Sequence, residues 1–470
     1  METFDFVVIG GGSAGYSAAA AAARSGLKTV CVEGGEEVGG LCILHGCMPS
    51  KTLIESANRF VTLRRAQEFG LSAGHIGFDS GVIIQRKRDL IAAFARHRLQ
   101  QLTESHFEFV RGRAEFTDSH HLKVKFMDGG EEDIEGKTFL ISTGSVLNII
   151  DLSGLEETGF LDSKTALDSD RLPRSVVILG GGAIALEFAH FYNALGVEVT
   201  VLQRSSQVIK EADPDIAEAL VRAFQKRGIR VICGTKLTRV ERTASGKRVW
   251  YERNGEKQVA EAEEIFYALG RKAAIRGLGL ENAEVETNRQ HVVVVNDKLQ
   301  TSQPHIFAAG DVTGLYEIVH IAIQQGERAA RNAKSLLEGN APASIDYRLK
   351  MFVMFPEPQI AVVGITEREA KKQGLAVRVA RHSFNDHGKS IIHGEVEGFV
   401  KMIVDAKNGE ILGGAVIGPQ ASELIHEITV GMHFRSTAAT FASIPHYHPT
   451  LSEIWTYPAE ELAQVDARSR

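Results

Sequence analysis

Phe4-Asp-Phe-Val-Val-Ile-Gly-Gly-Gly-Ser-Ala-Gly15 decides the fold. Its first six residues read as a buried parallel strand, because such strands are apolar on both faces. They run straight into Gly10-x-Gly12-x-x-Gly15, and an alanine-rich helix follows from Tyr16 to about Arg24. A second strand, Thr29-Val-Cys-Val-Glu33, completes the unit, with Cys31 as a core residue. The glycines allow a tight turn, close backbone approach to a pyrophosphate and close helix–strand packing. The helix N-terminus offers free N–H groups to that pyrophosphate. Glu33 ends the second strand, where a carboxylate can accept hydrogen bonds from a ribose.

The unit recurs. Ser175-Val-Val-Ile-Leu179 leads into Gly180-x-Gly182-x-x-Ala185, a helix through Leu195 and a strand Glu198-Val-Thr-Val-Leu202. Two such units mean two dinucleotides or two halves of one large site. Between them, Phe139-Leu-Ile-Ser-Thr143-Gly144 reads as a strand ending at a turn. Beyond them, Thr301-Ser-Gln-Pro-His-Ile-Phe-Ala-Ala-Gly310-Asp311 reads as a buried strand closed by Gly-Asp.

Directly after the first unit comes Gly39-Gly-Leu-Cys42-Ile-Leu-His-Gly-Cys47-Met-Pro-Ser-Lys51. A bare Cys-x4-Cys reads two ways: two buried core cysteines, or a pair made and broken in turnover, strained or exposed and of raised reduction potential. Glycines before and between the cysteines, Pro-Ser-Lys after them and the neighbouring nucleotide unit favour the redox reading. Near the C-terminus stands His446-Tyr-His448-Pro-Thr-Leu-Ser-Glu453. Histidine moves protons near neutral pH, and a carboxylate fixes its tautomer. Thr450-x-x-Glu453 is equally a capping box that would start a helix.

Together these motifs resemble the flavin-dependent pyridine nucleotide–disulfide oxidoreductases, the group of dihydrolipoamide dehydrogenase, glutathione reductase and mercuric reductase. The resemblance runs essentially end to end. It implies an α/β protein with two Rossmann-like dinucleotide-binding domains and a C-terminal α+β dimerisation domain. FAD would lie on Gly10, Gly12, Gly15, Glu33, Lys51, Thr143, Gly144, Gly310 and Asp311. The nicotinamide cofactor would lie on Gly180, Gly182, Ala185, Glu187, Gln203, Arg204, Lys210 and Gly270. Lys51 and Glu187 match a pair placed beside the flavin's reactive nitrogen. Electrons would pass through FAD to a Cys42–Cys47 disulfide and on to a small-molecule or protein disulfide. Cys47 would face the flavin and Cys42 the substrate. His448, held by Glu453 and supplied across a homodimer, would be the acid–base residue, with His446 a structural neighbour and Trp455 a packing residue.

The motif order sets expected boundaries: FAD binding over 1–150, nicotinamide binding over 151–271, FAD contacts again over 272–345, and the dimerisation domain over 346–470. Asn408-Gly409 marks a hairpin between Phe399–Val404 and Ile411–Val416, because both residues tolerate positive φ. Gln203 stands where NAD-specific folds place an acid, and Arg204 and Lys210 are spaced like the basic residues of NADP-dependent relatives. NADPH is therefore expected in preference to NADH, although both cations also read as surface charges.

Composition narrows the setting. The 470 residues carry a net charge of −6 and only four cysteines. No basic cluster points to nucleic acid or lipid, and the cysteines are too few for a secreted disulfide scaffold. No stretch reads as a membrane span, the alanine run at 18–23 being too short. A cytoplasmic enzyme without metal is the expectation. Ile43-Leu-His45 replaces the family's usual asparagine between the cysteines. The first helix, Ser17-Ala-Ala-Ala-Ala-Ala-Ala23, lacks the arginine that holds glutathione, and nothing beyond Cys233 is cysteine. Two alternatives stand beside the disulfide reductase: a dihydrolipoamide dehydrogenase-like subunit of a multienzyme complex, and a transhydrogenase or quinone reductase that leaves the cysteines idle.

Overall fold

The apolar run Glu2–Ile9 forms the centre of a parallel sheet in the computed structural model, which describes residues 2–468, with side chains through 464. The chain divides into two compact units. One comprises Met1–Thr52, Val82–Ile150 and Leu269–Asp346; the other comprises Leu53–Gly81, Asp151–Ala268 and Tyr347–Arg470. This grouping puts residues 53–81 with the second glycine unit, whereas the motif order placed them with the first.

In the first unit, Glu2–Ile9 pairs in parallel with Thr29–Glu33 on one side and Glu131–Ile141 on the other, Val7 lying opposite both Val30 and Phe139. Ile306–Ala308 extends the sheet beyond Glu131–Ile141, and Glu108–Phe116 extends it beyond Thr29–Glu33. The strand around 301–311 is shorter than its sequence implies. Thr301 accepts from the Gln303 N–H and makes a turn ahead of Pro304, so only Ile306–Ala308 is extended and Gly310–Thr313 becomes a helical turn. The helix Ser13–Arg24 buries Ala14, Ala18, Ala19 and Ala22, and it packs on Val319–Leu337, whose inward residues include Gly326, Ala329 and Ala330. Small side chains let the two backbones approach closely. A methyl at Gly326 would meet the Ala14 carbonyl oxygen at 2.2 Å.

In the second unit, the four parallel strands Glu264–Tyr267, Ser175–Leu179, Glu198–Gln203 and Arg230–Cys233 lie in that order. A separate antiparallel sheet of five strands runs Met351–Met354, Gln359–Gly364, Ile411–Gly418, Phe399–Asp405, Val377–Ser383. Ala421–His433 and Thr456–Arg468 cover it over a core that includes Phe384, Phe441, Ile425 and Trp455. The hairpin at Asn408-Gly409 is present, but the connection is longer than a two-residue turn. Gly409 alone takes positive φ, while the Asn408 side chain accepts the Glu410 N–H at 2.9 Å.

Lys401, in the middle of Phe399–Asp405, is fully buried. Its ammonium lies 2.7 Å from Asp213, 2.9 Å from Asp215 and 3.0 Å from Glu367. Those three carboxylates are spaced closely enough to hold a cation, and the lysine supplies the positive charge there. Among the described residues, no helix is long and apolar enough to cross a membrane.

Candidate active site

The first glycine turn is built as its sequence requires. Gly10 takes φ +101°, and a side chain there would meet the Ser142 carbonyl oxygen at 2.6 Å. Gly12 caps the helix and leaves its outer face open, the nearest neighbour of an added carbon being Gly40 Cα at 4.0 Å. Glu33 accepts the Gly11 N–H at 2.7 Å and the Gly35 N–H at 2.6 Å. Nearby, Asp311 accepts the Ser145 hydroxyl at 2.7 Å, and Arg271 holds that hydroxyl at 2.8 Å. The Gly310 N–H is fixed by buried Gln325. Ser145, Arg271 and Gln325 carry no motif signal in the sequence. Among the described residues the buried Thr143 hydroxyl has no partner, and Gly144 faces open space. An open glycine cradle beside an orphaned hydroxyl and an aligned carboxylate fits FAD.

The cysteine segment closes on this turn. Gly40, at φ +71°, sits so close to Gly12 that an added carbon would lie 2.9 Å from its Cα. Cys42 belongs to the short helix Gly40–Leu44, and Cys47 begins the long helix Cys47–Arg64. The two are free thiols, both half-buried, with Cys42 hydrogen-bonded to Cys47. That bond and burial push the Cys42 thiol well above its usual range, against the opposing charge of Lys51 one turn further along. Cys47 stands where helical N–H groups and the dipole favour an anion. His45 ends the short helix, its N–H on the Leu41 carbonyl at 2.9 Å.

The second glycine turn repeats the geometry, with Gly180 at φ +115°. Buried Glu187, on the helix Ala183–Ala194, accepts the Phe355 N–H at 3.2 Å. Gln203 donates to the Gln207 carbonyl at 3.3 Å. The Ile209 N–H bonds the Gly181 carbonyl at 2.9 Å, which holds exposed Lys210 beside the turn; Arg204 is also exposed. Gly270, at φ +105°, accepts the Asn148 N–H at 3.1 Å.

His448 Nδ1 lies 3.0 Å from Glu453 Oε2 and 3.2 Å from Oε1. The histidine side chain is 79% exposed, the carboxylate's only 10%. Thr450 does accept the Glu453 N–H at 3.3 Å, but the Glu453 carboxylate turns to His448, so only half of a capping box forms. His446 is tied to Glu427 and to the Ile444 carbonyl. Trp455 is buried, with its indole N–H on Leu424 O. Exposed Val430, Phe434, Ile444 and Tyr447 belong to the same part of the chain as His448.

Two dinucleotide folds, a thiol pair laid on the first of them and a histidine–carboxylate pair in an antiparallel domain define a flavoprotein oxidoreductase. Residues 4–326 match the pyridine nucleotide-disulphide oxidoreductase family, and residues 352–459 match that family's dimerisation domain. The chain belongs to this family. It is 35% identical over 453 residues to the dihydrolipoyl dehydrogenase of Chlorobaculum tepidum, covering 96% of this chain and 95% of that one. Among solved structures, it resembles LpdA from Mycobacterium tuberculosis with a TM-score of 0.88 at 29% identity, over 98% of this chain and all of the other (100%). It also resembles the HOCl-induced flavoprotein disulfide reductase RclA from Escherichia coli, with a TM-score of 0.83 at 26% identity, over 97% and 99% of the two chains. The protein is a flavin-dependent enzyme that acts on sulfur groups with a pyridine nucleotide, binds FAD and carries the dimerisation domain of a homodimer.

Proposed function

We propose that the chain is an NADPH-preferring reductase of a small-molecule or protein disulfide, working through Cys42 and Cys47 with His448 and Glu453 of the partner subunit. The observation that carries this reading is the hydrogen-bonded thiol pair on a segment whose Gly40 rests on Gly12 of the FAD-type turn. FAD held there would supply a two-electron carrier between the nicotinamide and the cysteine pair. Gly10, Gly12 and Gly15 would give its pyrophosphate backbone access, Glu33 would serve its ribose, and Thr143, Gly144, Gly310 and Asp311 would hold the rest of it. Lys51 would add a positive charge for the reduced flavin, and Glu187 would serve the nicotinamide.

Thiolate is the reactive form in exchange. The Cys42 proton is held firmly, so that thiol needs a base, and His448 is suited to take it. Cys42 attacks one sulfur of the substrate and forms a mixed disulfide, and the displaced thiolate takes the proton from His448. Cys47 then attacks the Cys42 sulfur, releases the second thiol and closes the Cys42–Cys47 bond. Exposed apolar Tyr447 beside exposed His448 supports a surface covered by a second copy. A cytoplasmic setting goes with this reading, since such pairs work where thiols are kept reduced.

The loaded enzyme tests the cysteine roles. Cys42→Ser should show a long-wavelength flavin absorbance that Cys47→Ser lacks, and both should lose disulfide reduction; equal spectra would refute the assignment. Mixing inactive Cys42→Ser with inactive His448→Ala subunits should restore part of the activity. No recovery after verified exchange would remove the histidine from the partner's site.

A second reading has support in the likeness to dihydrolipoyl dehydrogenase. On it the same residues reoxidise dihydrolipoyl groups within a multienzyme complex. Turnover of a dihydrolipoyl peptide with NAD, exceeding every disulfide reduction with NADPH, would favour that role.

A further inference from the structure

The Glu453 carboxylate has a second histidine behind it. Besides His448, the Nε2 of His387 lies 3.5 Å from Glu453 Oε1. His387 is fully buried, and its Nδ1 is fixed at 2.8 Å by the Ser390 hydroxyl. Phe384 and Tyr457 meet its ring edge to face. Among the described residues, its buried Nε2 has no hydrogen-bond partner. An orphaned buried polar group costs about 1–3 kcal/mol, and the carboxylate that this nitrogen faces can relieve the cost by closing a few tenths of an ångström.

The proton's place follows from the surroundings. Burial holds His387 below the usual histidine range, His382 and His448 push the same way, and Glu453 opposes them. The ring is therefore neutral and carries one N–H. A lone pair on Nε2 would point at the carboxylate and repel it. The proton sits on Nε2, and Ser390 donates to Nδ1.

We infer that His387 is a positioning residue for the acid–base pair: its Nε2–H holds the Glu453 carboxylate in line behind His448. The inference rests on the reading of His448 as the acid–base residue. A neutral donor suits the task, since it steadies the carboxylate without setting a second positive charge against the His448 imidazolium.

The test uses FAD-loaded full-length enzyme and a small aromatic disulfide. The kcat/KM is followed against pH, with flavin reduction by NADPH as the folding control. His387→Leu is expected to lose ~10-fold, equivalent to one unit in a protonation equilibrium, with the acidic limb moved to higher pH. Without that N–H the carboxylate loses a hydrogen bond that favours its charged form, and His448 loses its support. His387→Gln can present an amide N–H near the place of Nε2 and should restore both rate and profile. Ser390→Ala, which keeps the ring in place, should move the limb the same way by less. Equal losses in the Leu and Gln variants, or an unmoved limb in the Leu and Ser390→Ala variants, would overturn the inference. His448→Gln separates the layers: a loss of ~10²-fold or more with an unmoved limb in the His387 variants sinks only the inference. Near-normal activity of His448→Gln sinks the reading beneath it as well.

Discussion

In the first glycine turn the Gly10 N–H donates to the Val32 carbonyl at 2.8 Å; in the second, the Gly180 N–H donates to the Leu202 carbonyl at 2.9 Å. Gly12 and Gly182 cap the following helices with nearly the same extended backbone. The turn's hydrogen bond and helix cap are thus repeated, yet the two strand ends differ. Glu33 spends its charge on two backbone N–H groups and keeps lone pairs for a ribose. Gln203 is uncharged and folds over Gly181, where an added carbon would meet its Cδ at 3.0 Å. Arg204 follows at once. On the proposed reading, backbone geometry makes each copy a dinucleotide site, and the charge at the strand end sets the choice of nicotinamide cofactor.

The third position of the two turns offers the harshest test of this equivalence. A carbon added at Gly15 would lie 1.7 Å from the Gly10 carbonyl oxygen, whereas Ala185 already carries one and is fully buried. Gly15→Ala should therefore yield protein without flavin, seen as loss of the visible flavin spectrum. Ala185→Gly should keep both cofactors at a helix cost of about 1 kcal/mol. Full flavin content in Gly15→Ala would break the comparison at its base.

The strand ends come next in size. Arg204→Ala should raise the NADPH Michaelis constant about tenfold or more, since a charge-assisted contact is worth about 1.5–3 kcal/mol, and should leave that for NADH nearly unchanged. Gln203→Glu should shift preference toward NADH by repelling the 2′-phosphate. Steady-state kinetics with both cofactors decides the matter: a wild type favouring NADH would remove the proposed preference.

Both turns were legible because their chemistry lies within a few consecutive residues. Gly10, Gly12 and Gly15 announce a backbone shape, and Cys42 with Cys47 announces itself by spacing. His448 and Glu453 were legible for the same reason. The rest depends on partners distant in sequence. Nothing local marks His387 as Glu453's neighbour, since Val377–Ser383, Phe399–Asp405 and Thr456–Arg468 must first pack together. Lys401 sits in an apolar run that reads as an ordinary core strand, and its three carboxylates come from residues 213, 215 and 367. Thr450 and Glu453 read equally as a capping box, and only the fold shows that the Glu453 carboxylate goes to His448 and leaves the Thr450 half alone.

The helices that follow the two turns carry the comparison further. Ser13–Arg24 is held by small apolar contacts and has no titratable group among its buried residues. Ala183–Ala194 buries His190, whose Nε2–H donates to Asn58 at 2.7 Å and whose Nδ1 accepts from Arg227 at 2.9 Å. Arg227 also donates to the Glu357 carbonyl at 2.9 Å. Burial, with Arg227 adding to it, holds the His190 pKa well below the usual 6.5 and keeps the ring neutral. Burial, then Glu395, pushes the Glu357 carboxyl from 4.5 up to about 7, against Arg227 and Arg65. The signs are opposite. A histidine held neutral withdraws stability as pH falls below 6.5, because only the unfolded ring takes the proton. A carboxyl held protonated withdraws stability as pH rises from 4.5 to about 7, because only the unfolded group loses it. Each slope is at most about 1.4 kcal/mol per pH unit, so where the two ranges overlap the contributions oppose each other and this region's stability changes less with pH than either alone would make it. Glu357→Gln should unmask the histidine. The variant is expected to melt on the order of a few degrees higher than wild type at pH 8, with the gain shrinking steadily toward pH 4.5. Melting curves across that range check it, and a gain constant with pH would mean that Glu357 is not protonated in the folded enzyme.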